Sequence, residues 1–171
     1  QNYLYLVRHY ENNPMAHMLV IAERTIQLRD PDLQARYSSK SELKYFFQRI
    51  VELDSSVAKK RGLIKEGEAL TDLVFKVMER DKYSMIREEQ IKVLGMTISQ
   101  ALKFVKWVKE VLQNEVDAAV TRGEIPSGRV EADVKSAVAI FLKRLFRPEY
   151  RGEDLTALHD LLRLRVIFAD P

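Results

Sequence analysis

Cysteine is absent from this chain. That excludes disulfides, thiolate metal sites and cysteine nucleophiles, and it fits a reducing, cytoplasmic setting. Long apolar runs are also missing. None approaches the ~20 residues that a membrane span needs, so no membrane partner is expected. There are six glycines, and they never assemble into a phosphate-cradling loop of the GxGxxG or GxxxxGK type. Histidine is scarce: His9, His17 and His159 are the three, none at metal-ligand spacing, and no HExxH is present. No GxSxG elbow occurs, and acid pairs such as Glu88-Glu89 and Glu153-Asp154 sit where helix starts are expected, which explains them without catalysis. The chain therefore reads as non-enzymatic, with no metal and no cofactor. No initiator methionine precedes Gln1, which suggests a fragment of a longer protein.

What is present is helical periodicity. A chain of 171 residues fits one all-helical domain, with room for small subdomains. The stretch from Ser84 to Thr121 organises it. Ile91, Leu94, Ile98, Ala101, Val105, Val108 and Leu112 recur at alternating gaps of three and four, which keeps them on one side of an α-helix. Gly95 lies inside that stretch, at a place where a neighbour packs closely or the helix kinks. The expected fold is all-α, about seven helices in a compact bundle around one long helix over 84–121.

The other elements follow from caps and breaks. A short helix is expected over 1–12, then one over 14–29 that begins at Pro14 and ends before Pro31. A helical turn over 32–37 precedes a third long helix over 42–61, capped by Ser39 or Ser41 and closed at Gly62. A fourth helix is expected over 66–80. The loop 122–128 holds Gly123 and Pro126, and a sixth helix over 130–146 follows. A last helix starts at Asp154 and carries Leu155, Leu158, Leu161, Leu162 and Val166. Val166-Ile167-Phe168 is the one short apolar run that suits a strand instead.

The net charge is +3, with acids and bases interleaved, which is little for a nucleic-acid binder. Lys103, Lys106 and Lys109 do surround Trp107, a basic strip with an aromatic that could stack on bases. Methionines and aromatics gather on the fourth and fifth helices, and soft, broad side chains of this kind line apolar pockets.

Residues 112–164 resemble the C-terminal regulatory domain of the tetracycline-repressor (TetR) family. Ala119, Arg122, Gly123, Glu124 and Ile125 match that family's A-x-x-R-G-E-I pattern, followed by a polar turn, an amphipathic helix and a leucine-rich helix. The family's N-terminal DNA reader has no counterpart here. The resemblance implies a ligand-sensing, dimerising regulatory domain of a transcription regulator. It implies a homodimer through Val134, Val138, Phe141, Leu145, Leu158, Leu161 and Leu162, and a small apolar ligand near Met78, Met96, Phe104 and Trp107. Two other readings stand beside it. One is a helical protein-interaction or scaffold module. The other is a small basic nucleic-acid-binding subunit using the lysine strip.

Overall fold

The computed structural model describes residues 12–37, 39–147 and 160–168. The chain divides into two compact units, Gln1–Tyr83 and Ser84–Pro171. Both are predominantly helical, and the second also contains a two-stranded sheet.

In the first unit, α1 runs Pro14–Arg29, with the Asn13 side chain capping the Ala16 N–H and Pro14 in the first turn. A 3₁₀ turn, Leu33–Arg36, leads to α2, Lys40–Arg49, which Ser39 caps through the Glu42 N–H. The third long helix expected over 42–61 is not uniform. After α2 the chain widens into a π-helical segment, Ile50–Ser55, before α3, Ser56–Lys60. Gly62 then ends the run in the left-handed region, as its position after Lys59, Lys60 and Arg61 implies. Helix α4, Ile64–Met78, packs against α1, α3 and the π segment.

Gly67 explains how α4 comes so close. A Cβ there would stand 2.7 Å from the Ser55 carbonyl oxygen and 2.8 Å from Lys59 Cγ. The same contact is tied by hydroxyls: Ser55 Oγ donates to the Gly67 carbonyl at 2.7 Å, and Thr71 Oγ1 donates to it at 2.9 Å. The core of this unit joins Ile21, Leu28, Leu33, Phe46, Phe47, Ile50, Ala58, Leu70 and Val74.

The continuous helix expected over 84–121 is in fact two helices. Helix α5, Arg80–Leu94, stops at Gly95, whose φ is +65°, and α6, Ile98–Thr121, starts afresh. Thr97 and Gln100 form a reciprocal capping box: Thr97 Oγ1 accepts from the Gln100 N–H at 3.2 Å, and Gln100 Oε1 accepts from the Thr97 N–H at 2.9 Å. The apolar period runs unbroken through this point, because both helices bury their inner residues. The glycine and the Thr-x-x-Gln box carry the break.

A second correction follows the loop at Gly123. Residues expected to open the sixth helix form strand β1, Gly128–Val134, and only Ala137–Phe146 is helical, as α7. Strand β1 pairs antiparallel with β2, Leu162–Phe168, from Gly128 opposite Phe168 to Val134 opposite Leu162. Thus Leu162 and Val166, expected on the last helix, lie on a strand, and Val134 lies on β1 rather than on a helix face. Valine at every fourth position, Val130, Val134 and Val138, also satisfies a period of two, which is why the helical pattern misled. The helix expected over 1–12 and the start of the last one lie outside the described residues.

Helix α6 packs along β1. Gln113 of α6 does so through both ends of its amide: Oε1 accepts from the Val130 N–H at 2.8 Å and Nε2 donates to the Gly128 carbonyl at 3.3 Å. Ile86, Ala101, Val105, Val116, Val130, Ala132, Ala137, Ile140 and Leu161 are buried in this unit. Gln90 is fully buried too, donating to the Lys135 carbonyl at 2.9 Å. Among the described residues, no helix is long and apolar enough to cross a membrane.

Candidate functional site

The first unit buries a polar group that a helical core does not require. Asp54, on the π segment, is wholly enclosed, and so is His17 of α1. His17 Nε2 lies 3.2 Å from the Asp54 backbone carbonyl. A carbonyl oxygen only accepts, so the neutral imidazole carries its proton on Nε2. Arg24, two helical turns further along α1, donates from Nε to Asp54 Oδ2 at 3.2 Å and from Nη1 to Gln27 Oε1 at 2.7 Å. The flat guanidinium also lies over the Phe46 ring, 5.3 Å from its centroid.

Burial dominates the electrostatics. It pushes the Asp54 carboxyl above the ordinary carboxylate range, against the charge and hydrogen bond of Arg24 and the charges of Arg49 and His17. It pushes His17 below the ordinary histidine value, against the pull of the Asp54 carbonyl and carboxylate. π-Helical turns are rare and recur at functional sites. Here the turn sets Asp54 and Ser55 into the interior beside Leu53.

Beside this cluster an open hollow of about 540 Å³ is lined by Arg24, Tyr37, Ser41, Glu42, Tyr45, Phe46 and Arg49. Its apolar wall is aromatic: the Tyr37 and Phe46 rings meet at 5.1 Å. Its cations differ in commitment. Arg24 is held by Asp54, Gln27 and Phe46. Arg49 makes no hydrogen bond or ion pair with the described residues, and its Nε is buried without a partner. Asp54 Oδ1 is buried without one as well. Unsatisfied polar atoms so placed call for an explanation, and a negatively charged group entering the hollow would supply one for Arg49.

The residues expected to bind ligand are elsewhere. Met78 is exposed at the end of α4, in the first unit. Met96 is half-buried in the turn between α5 and α6. Phe104 and Trp107 lie together on the outer side of α6, their centroids 6.0 Å apart and their surfaces 44% and 59% exposed. None of the four lines the hollow. Lys103 and Lys106 flank those rings on the same exposed side, with Lys106 reaching Glu110 at 3.8 Å.

The residues expected to form a dimer face are scattered across the second unit. Val134 ends β1 half-buried, Val138 and Phe141 are half-buried on α7, and Leu145 is exposed near its end. Leu161 is buried, Leu162 is half-buried at the start of β2, and Leu158 lies outside the described residues. His17 is the one histidine described. Among the described residues no cluster of three or more His, Asp or Glu is arranged to hold a metal ion. Sequence reasoning missed Arg24, Arg49 and Asp54, because residues 25 to 30 apart on separate elements leave no spacing signal.

No known protein family, curated protein or solved structure matches this chain.

Proposed function

We propose that this protein is a non-enzymatic, ligand-sensing regulator whose first unit binds a small organic monoanion with a flat apolar body. One observation carries the reading: Arg49, without a hydrogen bond among the described residues and with its Nε buried, lines an aromatic-walled hollow next to Arg24. The volume suits a small molecule, since ligand sites commonly measure ~300–1,000 Å³. Tyr37, Tyr45 and Phe46 offer flat surface to a ring. Glu42 puts a carboxylate on the same wall, which disfavours polyanions such as nucleic acid and suits a single negative charge. The sensing role keeps the part of the TetR-like expectation that concerns a small ligand. It moves the ligand from the methionine and tryptophan group to the arginine hollow, and it makes the ligand charged.

The test is a melting-temperature screen with 2-naphthoate, its neutral amide and the corresponding amine. A ligand that binds only the folded chain stabilises it by about 2.7 kcal/mol at a hundred times its Kd. The carboxylate should raise the melting temperature and the other two should not. Equal shifts from all three would remove the arginines from the argument and return the apolar-ligand reading.

A further inference from the structure

The two edges of the sheet are treated differently. Gln113 holds the backbone of Gly128 and Val130, so these even-numbered residues of β1 turn their N–H and C=O groups away from β2. The odd residues face inward, and the ladder continues in that phase where the Lys135 N–H donates to the Leu161 carbonyl at 2.9 Å. On β2 the inward residues are therefore Arg163, Arg165 and Ile167. Leu162, Leu164, Val166 and Phe168 aim their backbone groups outward, where none of the described residues meets them. Among the described residues, one edge is capped by a helix and the other is an open template for another strand.

We infer that the outer edge of β2 docks an extended segment of a partner protein in which acidic residues alternate with apolar ones. Side chains supply the pattern. Leu164, Val166 and Phe168 share one face of the sheet and are 50%, 39% and 55% exposed. The opposite face carries Arg163 and Arg165. Asp133 engages Arg163 Nε at 3.1 Å, and Glu131 is taken by Arg129 at 3.1 Å. Arg165, at the centre of the strand and opposite Glu131, is exposed and forms no ion pair among the described residues. Strand β1, with Val130, Glu131, Ala132 and Asp133, already shows the alternation that pairs with β2. A second copy of the chain is the poorer occupant. Its full-length two-fold register on β2 centres on residue 165 and sets two arginines directly opposite each other, which is destabilising. Main-chain hydrogen bonds give such additions their affinity, and alternate side chains give their specificity.

The test uses the full chain, isotopically labelled, with three capped heptapeptides: Val-Glu-Val-Glu-Val-Glu-Val, its Lys counterpart, and the Glu peptide N-methylated on alternate residues. The Glu peptide should shift and protect the amides of 162, 164, 166 and 168, about five-fold more tightly than the Lys peptide. The N-methylated peptide should not bind. Arg165→Gln should abolish the charge preference while circular dichroism stays unchanged. Val166→Pro removes an outward N–H, leaves the ladder to β1 intact and should abolish binding. Binding indifferent to charge, or shifts confined to other residues, would overturn the assignment. So would a mass in solution that doubles with concentration and reverts in Val166→Pro, since the occupant would then be a second copy.

Discussion

His17 shows how a single buried side chain writes itself into the pH dependence of the whole fold. Burial holds its pKa below the ordinary 6.5, so the folded chain takes up that proton less readily than the unfolded chain. Stability from this residue is present above pH 6.5 and is lost as the pH falls towards the lowered value. His17→Gln should flatten urea-derived stability against pH below 6.5. An unchanged slope would mean that the imidazole is hydrated. Asp54 acts in the opposite sense. Its raised carboxyl keeps a proton longer in the folded state, so its contribution declines as the pH rises from the ordinary carboxylate range to the raised one. Asp160 gives a third signature. Partial burial pushes it up, but hydrogen bonds from Lys135 Nζ at 2.5 Å and Lys143 Nζ at 3.0 Å bring it down to about 2. The stabilisation is present above the unfolded carboxylate pKa and is lost as the pH falls to about 2. Since the carboxylate is 42% exposed, solvent screening limits Asp160→Asn to a loss of about 1 kcal/mol at neutral pH. That loss should shrink as the pH is lowered towards 2.

Among the elements, the π segment and α4 depend on each other through Gly67. A methyl group at that position meets a backbone carbonyl, which cannot swing away as a flexible side chain can. Gly67→Ala should therefore destabilise the first unit by about 1–3 kcal/mol, despite alanine's better helix propensity. A neutral or stabilising result would show that α4 can draw back from Ser55. The helices themselves were legible in the sequence wherever a cap or stop accompanied the period. Pro14, Ser39, Gly62 and Gly123 all mark boundaries where expected. Two elements were not legible. The π turn leaves no signal, because Phe46, Phe47, Ile50, Leu53 and Val57 obey an ordinary helical period. Strand β1 was hidden because its partner lies some thirty residues away, and valine fits both periods until that partner is known. The Thr97–Gln100 box was readable in principle, but the unbroken apolar stripe across Gly95 outweighed it.

For the molecule as a whole, the two proposed binding surfaces fall in different contact units. The first unit offers an arginine-lined hollow over a buried His17–Asp54–Arg24 cluster, and the second offers an open sheet edge. Composition excluded cysteine chemistry, and the described helices include no membrane span. Neither surface was visible before folding, because Arg24 and Arg49 come to one hollow, and β1 meets β2, only in three dimensions. The central claim is that Arg49 holds a ligand anion, and titration calorimetry of 2-naphthoate against the full chain and Arg49→Gln tests it most directly. A charged hydrogen bond contributes about 1.5–3 kcal/mol, so the variant should bind at least about tenfold more weakly while keeping its circular-dichroism spectrum. Equal affinity in the two proteins, or no heat in either, would contradict the account.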